Sequence, residues 1–273
     1  MGWGLWLRGG AVALCLAVLY ASVIRGLVYD WIHLPDFSHG FLIPIVSGYF
    51  VYEKRKELLA LAPSGKWIGL GVVLLGIIFL FLGNLAAEYF TMRFSLLAVI
   101  GGIILFLLGK DFLKVLGFPL VFLVFMIPLP SILMDWITFP MQLFASKVAA
   151  LCLYTTDIPV LREGNIIQLA NTSLEVAEAC SGIRSLISLL ALSVVFAYFS
   201  QKVWWKRAVL VLSTFPIAIA ANAARVSGTG ILAHHYGDSV AQGFFHGFSG
   251  WILFVVAFVC LFIVGSVVGR MKN

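Results

Sequence analysis

A chain of 273 residues that is 62% hydrophobic and only 11% charged, with a mean hydropathy of +1.06, carries too little polar surface for a soluble domain. It reads as a polytopic membrane protein, and its formal net charge of +6 calls for no nucleic-acid partner, since a basic face against anionic membrane lipids accounts for it. The apolar runs are continuous and longer than the roughly ten alternating residues of a barrel strand, so the expected fold is all-α.

A hydrocarbon core of about 30 Å takes roughly 20 helical residues to cross. Runs of that kind lie at about 10–29, 67–87, 93–109, 111–129, 180–199, 207–229 and 246–268, with a weaker eighth at 38–53. The first closes on Tyr29-Asp30-Trp31 rather than on a small-residue cleavage site, and reads as a retained span. Lys54, Arg55, Lys56 and Lys66 share one connection, Lys110 and Lys114 flank another, Lys202, Lys206 and Arg207 mark a third, and Arg270 and Lys272 follow the last run. With Arg8 these make 12 of the 18 Lys and Arg residues. Placing all of them in the cytoplasm predicts eight crossings with both termini inside, provided 38–53 spans; a re-entrant hairpin is the alternative there. Glu88 and Arg93 straddle a short outer connection and read as a solvated pair.

The chain is thus expected to form one transmembrane domain, 1–273, with an extracytoplasmic segment, 130–179, inserted before the sixth span. Within that segment, residues 131–156 repeat apolar side chains at three- and four-residue steps among Asp135, Gln142, Ser146 and Lys147, which predicts an amphipathic helix at the interface. Val160 to Gln168 and Thr172 to Val176 are rich in β-formers around Leu169-Ala170-Asn171, which predicts a hairpin whose second strand runs on toward Cys180. Its edge suits an extended peptide added as a strand; a plain connector is the other reading.

Of the four cysteines, Cys15 and Cys260 lie within spans as small buried hydrophobes, and no close pair offers disulfide or zinc spacing. Cys180 has polar company, in Glu175-Val176-Ala177-Glu178-Ala179-Cys180-Ser181-Gly182-Ile183-Arg184. At a helix N-terminus the dipole and unpaired N–H groups favour a thiolate, and Arg184, one turn on, adds a cation. Glu178 opposes this unless paired, so a Glu178 to Arg184 contact is expected. Arg225, in Asn222-Ala223-Ala224-Arg225, falls near the outer end of the seventh span, where a charge needs a partner or a wet cavity; snorkelling is the plainer alternative. His246 opens the eighth span from the same face, and His39, in Ser38-His39-Gly40, starts the second and is a candidate for the same cavity. Thiol, imidazole and guanidinium at one depth supply nucleophile, general acid and base, and oxyanion stabiliser for acyl transfer. His234 and His235 with His246 and Cys180 are a weaker metal-binding alternative, and no metal or other cofactor is called for.

At these residues the chain resembles the exosortase and archaeosortase family of membrane cysteine transpeptidases. The resemblance rests on Glu178-Ala179-Cys180-Ser181-Gly182-Ile183-Arg184, Asn222 through Arg225 and His246-Gly247, with Arg162-Glu163-Gly164-Asn165 and Ser38-His39-Gly40 in support, and covers roughly 35–268. It implies a catalytic Cys180, Arg225 and His246; from their positions beside these, Arg184, Glu178, Asn222 and His39 are expected as supporting or substrate-binding residues. It implies, further, a bacterial inner-membrane enzyme whose site faces the periplasm. Its substrates would be exported proteins ending in a Pro-Glu-Pro-type motif, a transmembrane helix and a basic tail. The acceptor would be a lipid- or glycan-linked amine, or water. With the chain closing soon after the last run, no fused C-terminal periplasmic domain is expected. Rival readings are a transporter or channel, with Gly-rich stretches at 69–76 and 101–102 serving packing and Pro216 a kink, and a structural partner in exopolysaccharide export. Against an intramembrane metalloprotease, no HExxH stands in the chain.

Overall fold

The computed structural model describes residues 3–169, 173–175, 183–237 and 244–271, with backbone alone for 3–9, 174–175, 183–185 and 244–249. The fold is a helical membrane protein with one small sheet, and the chain divides into two compact units, Met1–Pro130 and Ser131–Asn273.

The first unit contains α1 (Trp3–Leu19), α2 (Ala21–His33), a 3-10 turn (Pro35–Phe41), α3 (Leu42–Glu53), α4 (Arg55–Ala60), α5 (Ile68–Leu85), α6 (Tyr89–Leu107), α7 (Lys110–Phe122) and a second 3-10 turn (Leu123–Met126). The first apolar run is bent by 65° rather than straight. The bend falls at Tyr20, which is fully buried with its hydroxyl 3.0 Å from Ser95 Oγ of α6. Burying that polar tip against a partner favours the broken path over an unbroken helix. α5 and α6 form a close antiparallel pair along Gly69, Gly76 and Gly83, which recur every second turn of α5. A Cβ at Gly76 would stand 2.6 Å from Val99 Cγ2 and one at Gly83 2.8 Å from Met92 Cγ, so only glycine allows this approach. Ile78, Phe81, Leu82 and Leu85 remain exposed on α5, as lipid-facing side chains do.

Glu88 and Arg93 do not form the solvated pair expected. Arg93 lies one turn inside α6 with its side chain 7% exposed, where its charge must be neutralised, and Asp30 Oδ2 of α2 meets its Nη2 at 2.6 Å. Glu88 instead caps α6, accepting from the backbone N–H groups of Phe90 and Thr91 at 3.1 and 2.6 Å.

Two of the expected spans are short. α3 has 12 residues and α7 has 13, or about 18 and 20 Å at 1.5 Å per residue. They pack on each other, Ser47 Oγ donating to Pro119 O at 2.9 Å while Phe50 meets Phe118 and Phe122 edge to face. Among the described residues five helices are long and apolar enough to cross a membrane, or six if the bent pair counts as one span.

The second unit contains α8 (Ser131–Thr155), β1 (Val160–Glu163), β2 (Ile166–Leu169), β3 (Ser173–Glu175), α9 (Ile183–Ser200), α10 (Trp204–Tyr236) and α11 (Phe244–Arg270). α8, expected as an interfacial helix, also has the length and hydropathy to cross a membrane. Its polar residues divide: Asp135 and Lys147 stay exposed, whereas Gln142 and the fully buried Ser146 turn inward beside Ala145, Ala149 and Leu153. The expected hairpin is a three-stranded antiparallel sheet in the order β1-β2-β3. What reads as one strand from Val160 folds back at Gly164-Asn165, pairing Glu163 with Ile166. Gly164, at φ +64, supplies the left-handed backbone that a two-residue hairpin turn needs. Its carbonyl accepts from Ser146 Oγ at 2.9 Å and from Arg162 Nη1 at 2.7 Å, which ties the turn to α8.

Cys15, expected to be buried, is exposed on α1, and Cys260 is half-buried in α11.

Candidate functional site

Two hydrophobic clusters align the elements of the second unit. Leu186 and Leu189 of α9, Leu210 and Ala218 of α10, and Ala257 and Leu261 of α11 share one, with Met141 of α8. Further along α10, Val226 and Ala233 join Ala145, Ala149 and Leu153 of α8 and Ile167 and Leu169 of β2 in the other. The sheet is therefore packed beside the stretch of α10 that carries Arg225. Gly230 makes room for this, since a Cβ there would stand 2.8 Å from Leu153 Cδ1.

Depth follows from helix length. Trp204 and Lys206 open α10 at its basic end, and Arg225 lies 21 residues after Trp204, or about 32 Å along the axis. Arg270 closes α11, and Gly250 lies 20 residues before it, about 30 Å. Both distances match a hydrocarbon core of about 30 Å. The basic ends are anchored: Lys206 Nζ donates to Met271 O at 2.8 Å and Arg207 Nε to Gln201 O at 2.8 Å. Measured from the same edge, Arg225 and Gly250 therefore reach the same far level.

They also lie side by side. A methyl built on Gly250 would stand 3.4 Å from Arg225 Cζ and Nη2, in ordinary van der Waals contact, so the guanidinium faces the bare side of the glycine. His246 occupies the position one turn before Gly250, on the same face of α11. Asn222 lies one turn before Arg225 on α10 and is 5% exposed. Between α9, α10 and α11 is a cavity of about 20 Å³ lined by Asn222, Arg225 and Gly250 together with apolar walls that include Leu189, Leu253 and Phe254. Thr229 Oγ1 and Ser227 Oγ donate to the carbonyls of Arg225 and Ala223, four residues back, and thereby spend their hydroxyls on α10 itself.

Arg225, Asn222 and the helical position of His246 are thus brought to one region. Cys180 and Glu178 lie outside the described residues; α9 begins at Ile183, three positions after the cysteine, and Arg184 falls in its first turn with only its backbone described. The side chain of His246 is likewise outside them. β3 ends at Glu175, five residues before Cys180. His39 stands in the 3-10 turn of the first unit; the neighbouring Gly40 packs against Trp31, whose indole occupies the space a Cβ there would need and whose Nε1 donates to Met126 O at 2.8 Å. His234 and His235 form an edge-to-face pair at the end of α10, and no group of three or more His, Cys, Asp or Glu suited to a metal ion occurs among the described residues. Sequence reasoning missed Gly250 as the neighbour of the guanidinium; the His246/Gly250 spacing of four on one helix was the available signal.

No curated protein and no solved structure matches the chain. The profile of the transmembrane exosortases matches residues 31–263, which take in every element from the end of α2 to most of α11. Spanning that share of a multi-pass helical chain, the match means that this membrane protein belongs to the transmembrane exosortase family.

Proposed function

We propose that this exosortase is a cysteine transpeptidase acting at the membrane face opposite its basic loops, the periplasmic face of a bacterial inner membrane, with both termini cytoplasmic. Family membership supports a transpeptidase role in general. The observation that carries the residue assignment is the placement of Arg225 beside Gly250, one turn from His246, at the far end of two anchored helices. α9 begins at Ile183, three positions after Cys180 in sequence, and a thiol at a helix N-terminus ionises readily, which supports the choice of Cys180 as nucleophile.

In this reading Cys180 Sγ attacks the carbonyl carbon of a peptide bond next to a membrane-anchored C-terminal helix. The C–N bond breaks, His246 gives its proton to the leaving amine, and a thioester remains on Cys180. His246 then takes a proton from the acceptor as its nitrogen or oxygen attacks the thioester, and the thiolate is released. Arg225 stabilises the oxyanion in both tetrahedral steps. Arg184 and Glu178 support the thiolate and the substrate motif, and Asn222 supports the site from below Arg225. The substrates are exported proteins with a C-terminal signal of short Pro-Glu-Pro-type motif, transmembrane helix and basic tail. The acceptor is a lipid- or glycan-linked amine, or water.

The test is co-expression with such a substrate. Cys180→Ala should leave it at full length, while the wild type releases the C-terminal helix and yields a hydroxylamine-sensitive adduct at Cys180. Normal processing by Cys180→Ala would sink the covalent mechanism and favour a transport or structural role.

A further inference from the structure

Asn222 is the most anomalous polar residue of the second unit. It is 5% exposed, lies about 27 Å from the basic end of α10, and faces the cavity between α9, α10 and α11. Among the described residues neither its Oδ1 nor its Nδ2 has a hydrogen-bond partner. A carboxamide left so in an apolar setting is costly, and the helix gains nothing from it, since asparagine is a poor helix former. Leucine, with the same branching but bulkier apolar tips, would suit the walls formed by Leu189, Leu253 and Phe254 better in polarity.

The cavity has the size that resolves this. A bound water needs at least about 10–15 Å³ and two to four polar partners, and this cavity of about 20 Å³ offers the donor and acceptor of one amide beside the Arg225 side chain. We infer that Asn222 is a positioning residue that anchors a single buried water beneath Arg225, and that this water, shared with the Arg225 side chain, holds the guanidinium at the level of Gly250. The inference rests on the reading of Arg225 as part of the reactive site; the water itself does not.

The experiment uses the full chain in lipid nanodiscs and two readouts. X-ray radiolytic labelling, in which bound waters oxidise the side chains they touch, should mark Leu253 and Phe254 in the wild type and lose that mark in Asn222→Leu. With the same variant, kcat for substrate processing should fall on the order of tenfold with KM unchanged, the scale of a catalytic group displaced by less than about 1 Å. Its thermal midpoint should not fall below that of the wild type. Should Asn222→Leu fail to insert, Asn222→Ser, smaller and still polar, should keep both the labelling and most of the rate. Labelling absent from the wild type, labelling that persists in Asn222→Leu, unchanged kcat in that variant, or loss of both readouts in Asn222→Ser would each overturn the inference. Failure of Cys180→Ala to block processing would instead remove the transpeptidase reading and leave the labelling result standing.

Discussion

The Asp30–Arg93 contact offers a quantitative test of how the first unit is held together. Nη2 and Oδ2 stand 2.6 Å apart, with side chains 21% and 7% exposed for Asp30 and Arg93. Charge centres about 4 Å apart attract by about 4 kcal/mol at an effective dielectric of about 20. Partial access of Asp30 to solvent lowers that figure, and desolvation of both groups has already been spent in reaching the contact. Removing either partner alone leaves an uncompensated buried charge, which costs about 3–5 kcal/mol. Asp30→Ala and Arg93→Met should therefore each destabilise by about 3 kcal/mol. The double variant, which buries no charge, should cost no more than either single one, giving a coupling of about 3 kcal/mol in the cycle. Equilibrium unfolding in mixed micelles, followed by tryptophan fluorescence, reads all four proteins. Single variants costing under about 1 kcal/mol each and adding in the double would refute the argument, since that is the behaviour of a solvated surface pair.

Glu88→Ala removes the cap of α6 and should cost about 1 kcal/mol by the same unfolding assay. Burial tends to raise the Glu88 carboxyl, but its hydrogen bonds from Thr91 and Phe90 and the charge of Arg93 hold it below the usual carboxylate range. That contribution is therefore complete above the ordinary glutamate pKa and is lost as pH falls through the lowered one, so the Glu88→Ala penalty should shrink at acid pH. Gly164→Val forces a branched residue into the left-handed region at φ +64 with open space around it, so the penalty of roughly 1–2 kcal/mol should be purely conformational and smaller for Gly164→Asn. Gly76→Val should separate α5 from α6 by collision with Val99 and cost at least about 1–3 kcal/mol, read as loss of folded protein in a thermal-shift assay.

The membrane class, the helical fold and the level shared by Arg225 and the start of the last helix were legible, because hydropathy and basic-residue placement act along the chain. What was hidden depends on partners distant in sequence. Nothing near Arg93 announces Asp30, more than sixty positions earlier, and the local reading chose Glu88, which is closer but occupied by backbone N–H groups. The length of α3 and α7 was overestimated since an apolar run shows burial in lipid or protein without distinguishing them. In the sheet, β-propensity ran unbroken through Val160 to Gln168, and the Gly164-Asn165 turn inside it was outvoted by its neighbours. Asn222 and Arg225 were visible as a spacing of three; that they share a small cavity with Gly250 was not, because Gly250 belongs to another helix.

The anchored basic ends of α10 and α11 turn the lipid into a ruler. With Lys206 and Arg207 bonded at one edge, the height of Arg225 above that edge is a fixed number of helical turns. A bilayer whose hydrocarbon is a few ångströms thicker would submerge the guanidinium, and a thinner one would lift it into the headgroups, with tilting absorbing part of the mismatch. Under the proposed function, acyl-chain length therefore sets the wetness around Arg225, and the thickness of the host membrane becomes a variable of the chemistry proposed there.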